Sequence, residues 1–162
     1  VIFNGTYLGV PGPIAFMFCV AIVAFILLNY TRLGIYMKAI GGNEEAARMS
    51  GVNVKKYKII TYVTCSLFTA LAGLVLLGRL GAAEPIAGSG YELDAIAAAA
   101  VGGTSMSGGK GNIPGTILGA LILGSLRNGL TLLNVQAFYQ LLASGAIILV
   151  AVTVDRFTRG QS

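Results

Sequence analysis

Long apolar runs alternate along this chain with short polar segments, and four of the runs have the length of a membrane-spanning helix. They occupy positions 10–28, 59–78, 113–133 and 137–154. An α-helix takes about 20 predominantly apolar residues to cross the hydrocarbon core of a bilayer. The pattern therefore predicts an all-α fold, a polytopic transmembrane helix bundle with four clear spans.

A fifth, weaker segment lies at positions 91–112. It is rich in alanine up to position 101, which favours a helix, and rich in glycine afterwards. The helical part alone is too short to cross a bilayer. Three interpretations are open: an extracellular helix, a re-entrant segment, or a broken span that the glycines complete. Irregular backbone at membrane depth must be buried in protein or line a cavity.

Positive charges orient the chain and favour the broken span. The polar loop at 32–58 carries six Lys or Arg residues against two Glu, and short basic loops face the cytoplasm. If segment 91–112 crosses, nine Lys or Arg residues lie inside and only Arg79 and Arg127 lie outside. If it does not cross, three of those nine move outside. The charges therefore predict five passes, with the N-terminus outside, the C-terminus inside, and glycines breaking the fourth pass.

Inside the polar loop, the residues predict one short helix of about two turns, which is too short to be stable alone in water. Asn43 is a good N-cap, and Glu44 and Glu45 follow in the first turn, where the helix dipole favours acids. Arg48 lies near the end, and Gly51 stands where a C-cap glycine belongs. The helix is either satisfied by its own chain or docks on a soluble partner. Capping alone favours the first, because caps report helix ends and not partners.

Small residues in the third long run predict close packing against a neighbouring helix. Gly115 with Gly119, and Ala120 with Gly124, each form a small-xxx-small pair. Such pairs let helix backbones approach closely in membranes.

Composition supports a membrane protein and excludes several kinds of chemistry. The chain is 56% hydrophobic and 10% charged, whereas a soluble domain carries about 25% charged residues. The net charge of +5 comes largely from one loop, which indicates membrane topology and not nucleic-acid binding. The absence of histidine excludes His-based metal sites and general bases. Cys19 and Cys65 lie in apolar runs and are interpreted as packing residues.

The glycine-rich segment does not match a nucleotide-binding motif, and no catalytic, cofactor or metal site is predicted. A P-loop requires G-x-x-x-x-G-K-[ST] after a strand, but Thr104 and Gly111 break that pattern. The interpretation is that these glycines allow sharp turns of the backbone and close packing. Glu92 and Asp94 are expected to be an isolated, solvated pair of acids. Arg127, near a span end, is either functional or snorkels to the interface.

Two motifs, in this order, resemble the permeases of ABC importers of the ribose, xylose and galactose type. The first is AIGGNEEAARMSGV at 39–52, after RLG at 32–34, and the second is ELDAIAAAAVGGTSMSGGKG at 92–111, followed by GTILGA at 115–120 and RNGL at 127–130. The resemblance implies about the C-terminal half of such a permease. Because the chain begins with Val1 and not Met, we expect an N-terminal part to be missing. Residues 1–162 are then one partial permease domain.

In this family the cytoplasmic loop carries a coupling helix that docks in a groove of the ATPase subunit. Acidic residues can pair with basic partner residues, and a short helix held at both ends can transmit a rigid-body movement. Carried over to this chain, the resemblance implies a docking contact made by Gly42, Asn43, Glu44, Glu45, Ala46, Ala47 and Gly51.

The resemblance also implies the partners and the location. Two permease subunits, as a homodimer or heterodimer, would form the pathway for a small sugar. Separate ATPase subunits would hydrolyse ATP, so the chain is expected to be a transport subunit and not an enzyme. An extracytoplasmic sugar-binding protein would deliver the cargo. The location implied is the bacterial plasma (inner) membrane, with the coupling loop and the C-terminus in the cytoplasm.

Three alternatives stay open. Branched-chain amino-acid ABC permeases share the architecture, although GGTS followed by GGKG favours a sugar permease. A secondary transporter would need ionisable residues at mid-membrane for ion coupling, and the clear spans hold none deep inside. A purely structural membrane subunit would leave the capped loop helix without a purpose.

Overall fold

The computed structural model describes residues 6–7, 10–82 and 86–159, and this part of the chain is almost entirely helical. It divides into two compact units, Val1–Ala87 and Gly88–Ser162. The first unit opens with two short antiparallel strands, β1 (Thr6–Tyr7) and β2 (Val10–Pro11), in which Tyr7 pairs with Val10. Apart from this strand pair, the predicted all-α fold class is confirmed.

Four helices complete the first unit: α1 (Gly12–Tyr30), α2 (Arg32–Gly42), α3 (Glu44–Met49) and α4 (Val54–Leu80). The helices expected for the first two long apolar runs are confirmed as α1 and α4. The polar loop holds more helix than the sequence pattern indicated, because α2 occupies its first 11 residues and α4 begins inside it.

Side-chain caps explain the additional helix in the polar loop. The Thr31 hydroxyl accepts a hydrogen bond from the Gly34 amide at 3.4 Å and starts α2. The Asn53 side chain accepts one from the Lys56 amide at 3.1 Å and starts α4. Lysine is a good helix former, so the polarity of the loop did not exclude helices.

The second unit contains α5 (Tyr91–Val101), α6 (Ile113–Leu132) and α7 (Ala137–Arg159). All three helices are confirmed where the sequence predicted them. Asn112 caps α6 by accepting a hydrogen bond from the Gly115 amide at 3.3 Å, and Pro114 lies in the first turn. Proline is tolerated there because that amide would be unpaired in any case.

Within the described residues, three helices are long and apolar enough to cross a membrane: α1, α4 and α6. The described apolar stretch of α7, Phe138–Ile147, is shorter than a span, so the fourth clear span stays a prediction. Across the described part of the chain, the buried apolar side chains are Ala47, Val54, Ala97 and Ala98. The spans thus present most of their apolar surface outward, as expected of helices that face lipid or other membrane helices.

Candidate docking helix and the α5–α6 helix pair

Asn43 ends one helix and starts the next. Its backbone N–H donates to the Ala39 carbonyl at 3.0 Å, which closes α2. Its side-chain oxygen accepts from the Ala46 amide at 3.0 Å, which caps α3. Gly42 is the last residue of α2. The predicted N-cap is confirmed, and it sets the angle between α2 and α3 through a single residue.

The other end of α3 is closed by backbone hydrogen bonds around Gly51. The Gly51 amide donates to the Arg48 carbonyl at 3.0 Å, and the Val52 amide donates to the Ala47 carbonyl at 3.1 Å. Gly51 has a φ of 83°, and a Cβ built there would contact nothing within 4 Å. Glycine is therefore favoured by the left-handed backbone and not by lack of space.

An ion pair connects α3 to the start of α4. Lys58 Nζ lies 2.6 Å from Glu44 Oε2, and both side chains are about half exposed. The rings of Tyr36 and Tyr57, whose centroids are 4.6 Å apart, join α2 to α4 as well. The polar loop is thus a small cluster of packed helices. In it, caps fix both ends of α3, and the Glu44–Lys58 ion pair connects α3 to α4.

The two faces of α3 differ sharply. Ala47 is buried, with 6% of its surface exposed, so its side chain packs on its own chain. The other six residues expected to make the docking contact are exposed. Glu45 and Arg48 form an exposed ion pair at 3.4 Å. Met49 was not among the predicted contact residues, yet it is 84% exposed.

In the second unit, α5 and α6 touch backbone to backbone. A Cβ built on Gly102 would lie 2.4 Å from the Gly115 carbonyl carbon, and one on Gly119 would lie 2.2 Å from the Ala98 carbonyl oxygen. The predicted close packing of the Gly115–Gly119 pair is confirmed. A Cβ on Gly124 would contact nothing within 4 Å, so the second small-residue pair does not pack at that glycine within this unit.

The glycine-rich loop between α5 and α6 follows the sharp path that the sequence predicted. Gly103, Gly108 and Gly109 have φ angles of 80°, 90° and 79°. The Ser105 amide donates to the Lys110 carbonyl at 3.1 Å, and the hydroxyls of Thr104 and Thr116 are 3.2 Å apart. The first bond closes the loop on itself, and the contact of Thr104 with Thr116 holds the loop to the first turn of α6.

An ion pair between Asp94 on α5 and Arg127 on α6 joins the other ends of the same two helices. Their side chains are 29% and 35% exposed, respectively. The prediction of an isolated, solvated Asp94 is therefore wrong. The pattern behind the contact is visible in hindsight, because Asp94, Ala98 and Gly102 are spaced by four residues and share a helix face. Only the tertiary contact of α5 with α6 identifies Arg127 as the partner.

Comparison with known proteins gives one family and a set of similar permeases. Residues 1–152 match the family model described as "Branched-chain amino acid transport system / permease component". The chain is 55% identical to the ribose import permease protein RbsC of Escherichia coli over 93% of its own length and 47% of that protein's. It is 50% identical to RbsC of Bacillus subtilis over 94% of its length and 48% of that protein's.

Permeases named for other sugars are similar as well. The chain is 44% identical to the D-allose transport system permease protein AlsC of Escherichia coli, over 95% of its own length and 47% of that protein's. The chain thus spans about half the length of the curated relatives it matches. A search of solved structures returned no match.

Proposed function

Because this chain belongs to the permease family of branched-chain amino acid transport systems, we propose that it is a membrane-spanning permease subunit of an ATP-dependent importer for a small sugar. The relatives named above import ribose or transport allose, which supports a monosaccharide over an amino acid. Ribose is the first candidate, since the more similar relatives carry that name.

The observation that carries the proposal is α3, a capped and braced helix whose outer face is uncovered in its own unit. A helix this short is not stable alone, but Asn43, Gly51 and the Glu44–Lys58 pair hold it in place. We propose that α3 is the coupling helix that docks on the ATPase subunit, with ATP hydrolysis confined to that partner. A helix fixed at both ends can pass a rigid-body movement of the ATPase subunit to the membrane helices, because the helix does not move independently of them.

The proposed setting is the bacterial inner membrane. The chain would cross it five times, with segment 91–112 as the broken fourth pass and the coupling loop and C-terminus in the cytoplasm. A second permease subunit would complete the pathway, and an extracytoplasmic sugar-binding protein would deliver the cargo. The positive charges of the polar loop support this orientation.

The docking part of the proposal is tested by co-purification. The complete gene product that contains this chain is expressed with the ATPase subunit encoded beside it. We expect the unmodified permease to retain the ATPase, and Glu45→Lys to lose most of it because an exposed charge on the docking face is reversed. Glu92→Lys, the same reversal at an exposed acid of α5, is the control that retains it. No retention by the unmodified permease would contradict the proposal.

The cargo is tested by uptake in cells that lack their own ribose permease and carry the candidate importer with its binding protein. We expect accumulation of labelled ribose that depends on ATP and is inhibited by unlabelled ribose more than by xylose. Leucine should not compete. Uptake of leucine without uptake of ribose would assign the chain to amino-acid import instead.

A further inference from the structure

Met49 is the most exposed large apolar side chain in the described part of the chain, at 84%. The other highly exposed apolar residues in that part lie mainly on the long helices or at their ends. Met49 instead ends a short, charged helix in a polar loop, where lipid hydrocarbon does not reach under the topology above. Burial of this side chain against a partner would gain hydrophobic free energy that the permease alone does not provide.

The neighbours of Met49 form one outward face of α3. Glu45, Arg48 and Met49 are spaced as i, i+3 and i+4, so they lie side by side. The side chains of Glu45 and Arg48 are 76% and 71% exposed, respectively, and form an ion pair with each other at 3.4 Å. When a helix docks in a groove of a partner protein, the exposed apolar side chains enter the groove, and charged neighbours lie at its polar rim.

We propose that Met49 is the apolar anchor of the ATPase contact and inserts into an apolar pocket of that subunit, with Glu45 and Arg48 paired to an adjacent base and acid at the pocket rim. This inference rests on the proposed function, because the occupant is the ATPase subunit. Methionine suits this role, since its flexible thioether adapts to the shape of a pocket.

The charge of α3 argues for a protein and against the membrane surface as the occupant. The exposed face of α3 pairs one acid, Glu45, with one base, Arg48, so this face lacks the excess of basic side chains that draws a helix to anionic lipid. A protein groove can match an acid and a base separately, which a lipid surface cannot.

The contacts of α3 then divide between holding the helix and binding the partner. Glu44 fixes α3 in place, because its carboxylate is paired to Lys58 of α4 at 2.6 Å. Ala47 also fixes α3 in place, because its side chain is buried against its own chain. The binding surface is the face of Glu45, Arg48 and Met49, together with the exposed residues at the helix ends.

The test labels residue 49 with and without the ATPase. Met49→Cys is introduced after Cys19→Ser and Cys65→Ser remove the two cysteines of this chain and any others in the complete gene product are replaced by Ser. The protein is then reconstituted in phosphatidylethanolamine–phosphatidylglycerol vesicles. A membrane-impermeant maleimide is added to vesicles with α3 on the outside. We expect rapid labelling of the permease alone, and labelling slower by about tenfold or more when the ATPase is bound. Lys110→Cys, which is exposed outside the polar loop and lies on the same side of the membrane as α3 in the proposed topology, is the control whose labelling does not depend on the ATPase.

Substitution of Met49 gives the second readout. Met49→Leu keeps an apolar side chain of similar volume and should retain the ATPase. Met49→Asp should lower retention by about tenfold or more, because a charge would replace the side chain that fills the pocket. The permease should insert normally in both cases, since residue 49 is exposed in its own chain.

Three results would overturn the inference. Residue 49 would lie outside the interface if it is labelled equally fast while the ATPase stays bound, or if Met49→Asp retains the ATPase fully. Protection in vesicles without ATPase would assign the surface to lipid or to a second copy of the chain. Failure of the unmodified permease to bind the ATPase at all would instead contradict the proposed function. This outcome is distinct from the others because it does not depend on a change at residue 49.

Discussion

At the scale of single residues, glycines in this chain are required for two different reasons. Gly51 is needed for a left-handed backbone in open space. Gly102, Gly115 and Gly119 are needed for space, because another backbone occupies the position that a Cβ would take. The sequence pattern identified Gly51 as a cap and the Gly115–Gly119 pair as a packing site. It could not tell which small residues have a neighbour, because that depends on how α5 and α6 cross.

A pair of substitutions on α6 separates these effects. Gly119→Ala should lower the free energy of unfolding by about 1–3 kcal/mol, since the new methyl group overlaps the Ala98 carbonyl and forces the helices apart. Gly124→Ala, where a Cβ meets nothing, should be neutral or slightly stabilising through helix propensity. The measurement is the unfolding free energy of the purified gene product in detergent. Equal effects at both positions would contradict the close contact at Gly119.

At the scale of elements, the described contacts join helices through few, specific links. The α5–α6 pair combines backbone contact at Ala98, Gly102, Gly115 and Gly119 with an ion pair between Asp94 and Arg127. Those links run in opposite sequence order on the two helices, so the pair is antiparallel. Sequence reasoning identified both helices but treated Asp94 and Arg127 separately, because residues 33 positions apart share no local pattern.

Exchanging the two charges tests the link between α5 and α6. Asp94→Arg alone places two like charges together, and Arg127→Asp alone does the same, so each should destabilise the protein by about 1–3 kcal/mol. The pair is about one-third exposed, which keeps the effect below that of a fully buried pair. The double variant should recover most of the loss, as measured by thermal unfolding. Additive losses without recovery would show that the ion pair does not join the helices.

Removal of the cap of α3 or of α4 should destabilise only the helix that it caps, and hydrogen exchange can distinguish the two effects. Asn43→Ala removes the hydrogen bond to the Ala46 amide, so α3 should open more readily by about 0.5–2 kcal/mol. Asn53→Ala removes the bond to the Lys56 amide and should affect the first turn of α4 instead. Amide exchange measured by mass spectrometry should rise at 44–49 in the first variant and at 54–57 in the second. Exchange that rises across the whole loop in both variants would contradict independent caps.

At the scale of the whole molecule, the consequence to test is how the chain crosses the membrane. Helix positions alone do not give this, because α5 is too short to span and its glycine loop leads directly into α6. The positive charges predict that Lys55 and Lys110 are both cytoplasmic, with Ile86 on the opposite side.

Single cysteines test this topology in the complete gene product, after Cys19→Ser, Cys65→Ser and the replacement of any other cysteine by Ser. Lys55→Cys and Lys110→Cys should react with an impermeant maleimide only after the cytoplasmic side is opened, while Ile86→Cys should react in intact cells. Lys55→Cys serves as the reference, because the short basic loop predicts a cytoplasmic location for it. Reaction of Lys110→Cys in intact cells would show that segment 91–112 does not cross the membrane.

The sequence alone determined the features that depend on near neighbours in the chain. The length of the apolar runs located α1, α4 and α6. The capping residues Asn43 and Gly51 located the two ends of α3. These features follow from local hydrogen bonding and from hydrophobicity, which are properties of short segments.

The tertiary structure alone decided which side chains meet and which face of a helix is covered. Asp94 meets Arg127, Glu44 meets Lys58, Ala47 turns inward and Met49 turns outward. Neither local propensity nor charge pattern contains this information, because each contact depends on where a distant helix packs. Each position of an α-helix turns its face by about 100°. On α3, a helix of six residues, another rotation would therefore bury Met49 in place of Ala47, and the contacts with α2 and α4 set the rotation.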